Sequence, residues 1–366
     1  MSDFLIIGAG LAGHQAALEL RKHEPGASIT LLGDEAGLPY DRPPLSKAVL
    51  LGDSKASQRT LEEAADYDAL DIDYRPSTAA ISIDRAAKTV VTDRGSATYG
   101  RLLITTGSRP RQLPAAVEIG APVSTFRTLA DAERLRRHLR PGRSIVVVGG
   151  GLIGLEVSAA ARAHGCEVTL LEAGDRLVAR ALPEFAGAWV LDLQIRNGVH
   201  VLFGVEIHEI AVDDQQRALV RTSRGDFVAD AVVIGIGVDP NSEIAKSAGL
   251  TVEDGIVVDR QCRTSDISIF AAGDVSAHPV GTTGRHRRAQ SWRTAQLQPL
   301  VAAKIMACGK ASYTEAPWFW SDQFGSNLQI IGEVPPDADL LANGDVSSDR
   351  WSVIAVIGGQ VVGRSR

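Results

Sequence analysis

Asp3-Phe-Leu-Ile-Ile7 runs straight into Gly8-Ala-Gly-Leu-Ala-Gly13, and Ser144-Ile-Val-Val-Val148 runs into Gly149-Gly-Gly-Leu-Ile-Gly154. Both places read as a short buried strand, the pattern G-x-G-x-x-G, and an Ala-rich helix. The first glycine of such a turn makes the tight bend. The second lets the backbone approach a pyrophosphate, and the third lets helix pack on strand. The helix N-terminus then presents free N–H groups and the positive end of its dipole to phosphate. One such pattern is weak evidence; two in strand–turn–helix context are strong. Acidic residues lie about twenty positions past each turn, where a ribose partner belongs. Ser28-Ile-Thr-Leu-Leu32 is followed by Gly33-Asp34-Glu35, and Glu167-Val-Thr-Leu-Leu171 ends at Glu172. Read alone, either carboxylate could be an ordinary strand-end charge.

Working outward, 366 residues hold two or three domains with sizeable cores. The apolar and charged fractions are those of a globular domain protein, and a net charge of −6 argues against a general nucleic-acid binder. No run of apolar residues is long enough to span a bilayer. The first strand begins almost at the initiator Met, so no signal peptide and a cytoplasmic location are expected. Cys166, Cys262 and Cys308 are isolated, with no C-x-x-C and no metal-ligand spacing, so no metal site is expected. The stretch Leu38-Pro-Tyr-Asp-Arg-Pro-Pro-Leu-Ser-Lys47 has no cysteine pair that could relay electrons as a disulfide. The eight histidines are scattered and make no nucleophilic triad.

The chain order reads as one nucleotide domain inserted into another. Leu102-Leu-Ile-Thr-Thr-Gly-Ser-Arg-Pro110 is a strand ending in a glycine turn. Asp230 to Asn241 closes the inserted unit, and Thr264 to Asp274 supplies a further strand ending in Gly-Asp. Period-2 stretches at Ala80–Thr92, Glu206–Arg224 and Ser352–Val362 predict antiparallel hairpins. The expected class is α/β, with two Rossmann-like dinucleotide-binding domains plus a small α+β C-terminal domain. The expected boundaries are 1–112 with 240–315 for the outer nucleotide domain, 113–239 for the inserted one, and 316–366 for the C-terminal domain.

Two strings, Pro43-Pro-Leu-Ser-Lys47 and Pro317-Trp-Phe-Trp-Ser-Asp322, are more specific than any glycine pattern. Pro39-Tyr-Asp-Arg-Pro-Pro-Leu-Ser-Lys47, Thr105-Thr-Gly-Ser-Arg-Pro110, Arg127-Thr-Leu, Ala271-Ala-Gly-Asp274 and Pro317-Trp-Phe-Trp-Ser-Asp322 accompany the two turns. With them the chain, from Phe4 to about Gly363, resembles the FAD-dependent, NADH-specific ferredoxin reductases of bacterial oxygenase systems. The resemblance implies a glutathione-reductase-like flavoprotein fold, with FAD in the outer domain (1–112 and 240–315), NADH in the inserted one (113–239) and a shortened C-terminal interface domain (316–366), in a flavoenzyme that takes hydride from NADH onto FAD. It would pass single electrons to a small acidic iron–sulfur ferredoxin, of [2Fe–2S] type, serving an oxygenase or cytochrome P450. Gly8, Gly10, Gly13, Glu35, Arg42, Lys47, Thr106, Arg127, Asp274 and Trp292 would hold FAD. Gly149, Gly151, Gly154, Glu172 and Gly237 would hold NAD. Lys47, Glu156 and Trp320 would carry the chemistry, with Glu156 in the first helical turn paired to Lys47. The alternatives are an NADH-sensing flavoprotein like apoptosis-inducing factor, which shares the Pro-Pro-Leu-Ser-Lys string, or a rubredoxin reductase. Lys47 and Arg127 could instead be solvated charges, and Trp292 and Trp320 could be core.

Two departures from the family stand out. Arg288-Ala-Gln290-Ser291 has an amide where the family carries a glutamate, and the chain stops at Gly363-Arg-Ser-Arg366, short of its relatives. Arg285-His-Arg-Arg288 with Arg293 brackets Trp292 and suggests a basic face for an acidic partner. A solvated loop with no partner role is the alternative.

Overall fold

A computed structural model describes residues 2–53, 61, 66–115, 122–280, 284–332, 334–335, 337–345 and 350–365. The chain divides into two compact units: residues 1–41, 59–109 and 240–318 form the first, and 42–58, 110–239 and 319–366 the second.

In the first unit, Ser2–Ile7 is flanked in parallel by Ile29–Leu32 and Gly95–Ile104, with Ile7 opposite both Leu32 and Ile104. Ile72–Arg75 and Ile269–Ala271 extend the parallel ladder on either side. Phe4 to Ile7, Ile29–Leu32, Leu102 to Ile104 and Ile269–Ala271 are buried without alternation because both faces are covered. Phe4 and Ile6 pack with Ala16, Leu20, Ala302 and Met306 from two helices, Leu11–His23 and Trp292–Met306. Leu5 and Ile7 face the other way, onto Ile83, Val90, Ile256 and Val258. Gly95–Ile104 serves two ladders, since its first half pairs antiparallel with Thr89–Thr92, which in turn pairs with Ala80–Asp84. The hairpin expected at Ala80–Thr92 is therefore present.

The second unit repeats the pattern. Val199–Leu202, Glu167–Leu171, Ser144–Val148, Ala231–Ile234 and Val123–Thr125 form a parallel sheet in that order. Ile207–Val212, Ala218–Thr222 and Gly225–Ala229 make an antiparallel meander whose Ile210 and Val220 join the core with Val146 and Val148. A last sheet, in the order Trp318–Gln323, Ser326–Gly332, Gln360–Ser365, Arg350–Ile357 and Asp339–Asp345, ends the chain. Its Trp351 stands edge-on to Trp189 and Phe185 of the Glu184–Arg196 helix. Ring centroids 5.5 and 6.2 Å apart fix that sheet to the helix by dispersion and quadrupole contact.

Candidate functional site: two nucleotide cradles and a buried ion pair

The two glycine turns have the same physical construction. Gly8 and Gly149 sit at φ +103° and +108°, and a Cβ on either would meet a backbone carbonyl, Thr105 O at 2.4 Å or Gly235 O at 2.5 Å. Gly13 and Gly154 face the first glycine of their own turn, where a Cβ would lie 1.9 or 2.1 Å from the carbonyl oxygen of Gly8 or Gly149. No side chain larger than hydrogen fits at these four positions. Gly10 and Gly151 differ: each N-caps its helix without a side-chain cap bond, and nothing lies within 4 Å of the Cβ position. The strand-to-helix bend is thus closed underneath and open above the helix N-terminus. That is the room and polarity a pyrophosphate requires, so FAD and NAD fit the two cradles.

Around the first cradle, the Thr105 hydroxyl donates to Gly8 O at 2.8 Å, holding the turn. The Thr106 hydroxyl donates to Asn241 O, and Asn241 Nδ2 returns a bond to Thr106 O, so Thr106 is committed to a clamp between two exit turns. Glu35 accepts from the Tyr40 hydroxyl at 2.6 Å. Asp274, half-buried in a single 3-10 turn, accepts from the Ser108 hydroxyl at 3.1 Å. Gln298 Oε1 takes the Gly273 N–H at 2.8 Å and so anchors that turn. Trp292 opens its helix behind the Ser291 cap and donates Nε1–H to Asp41. Gln290, with its amide oriented to satisfy its neighbours, accepts from Arg288.

The basic stretch is narrower at the surface than its sequence suggests. The Arg288 side chain is 3% exposed and pairs with Asp254, and Arg293 pairs with Glu315. Two of the four arginines are spent within the fold. Arg285 and Arg287 stay exposed on an edge strand.

Around the second cradle, Glu172 accepts Gly150 N–H at 2.6 Å and Gly174 N–H at 2.7 Å. Its carboxylate is therefore locked at the turn, with Ala173, Gly174 and Asp175 exposed beyond it. Arg176 spends an N–H on Ala179 O, within its own loop. Gly237, at φ +107°, has Arg111 and Arg180 just beyond its Cβ position, at 3.8 Å each. Neither arginine was anticipated, because nothing in their own neighbourhoods marks them.

Lys47 and Glu156 do come together. Pro43 and Pro44 precede a single π-turn, Leu45–Val49, whose Leu45, Ser46 and Val49 are buried. Lys47 Nζ lies 3.0 Å from Glu156 Oε1 and 5.6 Å from the centre of the Trp320 ring. Glu156 is 3% exposed. It stands one turn further into the Leu152–Ala163 helix than expected, and that helix has no acidic residue in its first turn. The dipole benefit decays within the first turn, so the charge of Glu156 is balanced chiefly by Lys47 and not by the helix end. The Ser46 hydroxyl donates to Glu156 Oε2 and the Ser321 hydroxyl to Oε1. These serines went unremarked in the sequence although they adjoin Lys47 and Trp320, because a hydroxyl leaves no charge or periodic signature. Arg42 Nη1 donates to Arg127 O at 2.9 Å, and Arg127 leads into the Thr128 capping box of the Leu129–Arg136 helix. Among the residues expected to hold FAD, Gly8, Gly10, Gly13, Glu35, Thr106, Asp274 and Trp292 belong to the first unit, and Arg42, Lys47 and Arg127 to the second.

The three cysteines are unpaired. Cys166 and Cys262 are fully buried, and burial pushes both thiols up. Among the described residues no cluster of His, Cys, Asp or Glu could hold a metal, and no helix is long and apolar enough to cross a membrane.

Comparison with known proteins agrees with this construction. Residues 2–298 match the pyridine nucleotide-disulphide oxidoreductase family, and residues 318–365 match the reductase C-terminal domain. The chain is 43% identical over 361 residues to the ferredoxin–NAD(+) reductase component of the anthranilate 1,2-dioxygenase system of Burkholderia cepacia, covering 98% of this chain and 89% of that one. It is 39% identical to rhodocoxin reductase of Rhodococcus erythropolis, covering 99% and 85%. A structure of the covalent putidaredoxin reductase–putidaredoxin complex superposes with a TM-score of 0.96 at 33% identity, covering 100% of this chain and 89% of that one. The chain belongs to the pyridine nucleotide-disulphide oxidoreductase family and carries a reductase C-terminal domain.

Proposed function

We propose that this chain is an NADH-dependent ferredoxin reductase that feeds an oxygenase or a cytochrome P450 through a small acidic iron–sulfur protein, and that it works in the cytoplasm. The observation that carries the reading is the match to ferredoxin reductase components along nearly the whole chain, the C-terminal sheet included. The three unpaired cysteines agree with it, since two are buried thiols held in the inert protonated form.

Gly8, Gly10, Gly13, Glu35, Thr106, Asp274 and Trp292 would hold FAD together with Arg42, Lys47 and Arg127. Gly149, Gly151, Gly154, Glu172 and Gly237 would hold NADH. Bound FAD supplies the exchange between a two-electron hydride and single electrons. The chain's own part is to bind, orient and set charge. Helix N-termini and tight glycines would hold the phosphates, and the Glu172 carboxylate would take the adenosine ribose. Lys47, beside Glu156 and over the Trp320 ring, offers a positive charge in a water-poor site, where it acts more strongly than in bulk water.

The test is direct. The purified holoenzyme should take up two electrons per flavin on dithionite titration, be bleached by NADH, and reduce a cytochrome only when an acidic ferredoxin is supplied. Uptake of four electrons would reveal a second redox group and sink the reading. Replacing all three cysteines by serine should leave ferredoxin-dependent turnover nearly intact.

A further inference from the structure

Glu156 is the end of a longer hydrogen-bond chain. Gln194 Nε2 donates to Gln323 Oε1 at 2.7 Å, Gln323 Nε2 donates to the Ser321 hydroxyl oxygen at 2.8 Å, and the Ser321 hydroxyl donates to Glu156 Oε1 at 2.7 Å. All four residues are buried, none more than 4% exposed. They come from three elements: the Glu184–Arg196 helix, the first strand of the C-terminal sheet, and the helix that follows the second glycine turn.

The direction of this chain is forced. An ionised carboxylate only accepts, and a serine hydroxyl has a single proton. With that proton on Glu156, the Ser321 oxygen must accept from Gln323, which fixes the Gln323 amide and in turn the Gln194 amide. Each donation polarises the next in a low-dielectric interior. The same strand offers Trp320 to Lys47 and, one residue on, Ser321 to Glu156, so it touches both halves of the ion pair.

We infer that Ser321, Gln323 and Gln194 are positioning residues for the Lys47–Glu156 pair, and that the C-terminal sheet thereby sets the geometry of the reduction step. The inference rests on the reductase reading. Bleaching of the wild-type holoenzyme by NADH tests that reading, whereas the ratios between variants test this one.

In single-turnover mixing with NADH, Ser321→Ala is expected to lower the limiting reduction rate about tenfold, the value of one hydrogen bond to a charged group. The NADH dissociation constant should move by no more than about twofold, because nothing that holds the nucleotide is removed. Ser321→Thr keeps the hydroxyl and should recover most of the rate. Gln323→Glu is nearly isosteric, but its carboxylate would compete for the Ser321 proton, so it should slow reduction as Ser321→Ala does. If a second buried carboxylate prevents folding, Gln323→Met, which merely releases the hydroxyl, takes its place with a smaller loss.

Two controls separate positioning from bulk stability. In a Glu156→Gln background Ser321→Ala should have almost no further effect on the rate. Amide hydrogen exchange over Leu45–Val49, whose Ser46 shares the carboxylate, should accelerate in Ser321→Ala and not in Ser321→Thr. An unchanged limiting rate in Ser321→Ala, or the same loss in both backgrounds, would overturn the inference. So would a loss that appears only in NADH affinity.

Discussion

Replacing Lys47 by methionine separates what the buried ion pair does for stability from what it does for chemistry. Methionine keeps the length of the stem and removes the charge. Glu156 would be left 3% exposed, with the Ser46 and Ser321 hydroxyls as its remaining donors. Breaking a buried pair from one side costs about 3–5 kcal/mol, because an uncompensated charge stays behind. Two hydroxyl donors soften that penalty, and the Lys47 side chain is 18% exposed, so some solvent already screens the pair. The lower end, about 3 kcal/mol, is the expected cost. At about 2–4 °C per kcal/mol for a domain of roughly 150–250 residues, the second unit should melt about 6–12 °C lower. The companion Lys47→Met/Glu156→Leu removes both charges and should recover most of the loss. The assay is thermal unfolding followed by far-UV circular dichroism on holoenzyme at fixed FAD excess, with NADH reduction rates measured in parallel. Reduction should stay slow in the double variant even as stability returns. Additive losses in the two single variants and the double would show that the charges do not depend on each other, and the reasoning would fail.

Three further outcomes follow from the same structure. Wild-type enzyme should prefer NADH over NADPH by at least about tenfold in kcat/KM, because Glu172 is held at the second turn and would repel a 2′-phosphate. Glu172→Ala with Ala173→Arg should erode or reverse that preference, and an unchanged ratio would remove Glu172 as the ribose ligand. His278 is buried against Tyr313, and burial with His286 and Arg260 nearby pulls its pKa down to about 4. The folded state therefore resists protonation, so stability is full above about pH 6.5, falls as pH drops, and levels off below about pH 4. Over that window the loss should be about 3 kcal/mol. His278→Phe should flatten it, and an equally steep acid limb in that variant would assign the loss to other groups. Arg287→Glu should slow cytochrome reduction through ferredoxin while sparing ferricyanide reduction, whereas Arg288→Glu should cost stability by putting a carboxylate in place of a buried guanidinium, next to Asp254. The two substitutions behaving alike in both assays would remove the docking role of the exposed edge strand.

Local chemistry made much of this protein legible in its sequence. A strand–glycine–helix turn depends on residues within one short segment, so Gly8, Gly13, Gly149 and Gly154 announce positions where only hydrogen fits beside a carbonyl. Both nucleotide cradles, the parallel sheets behind them and the three antiparallel hairpins follow from period and turn chemistry alone. Cysteine spacing argues against a redox disulfide from the sequence alone. The site between Lys47 and Glu156 is different in kind. Its members come from residues 46–47, 156, 194 and 320–323, which only the packing of four separate elements brings within hydrogen-bond reach. A serine or glutamine in a polar string carries no mark of whether it will meet water or a buried carboxylate. Cations are equally ambiguous: Arg288 reads as part of a basic face until the fold buries it on Asp254. The sequence by itself determined which backbone turns could bind a dinucleotide, because that property is steric and local. Tertiary structure decided which charges are compensated and which hydroxyls are directed, because those depend on what burial removes from water and on which partner stands opposite.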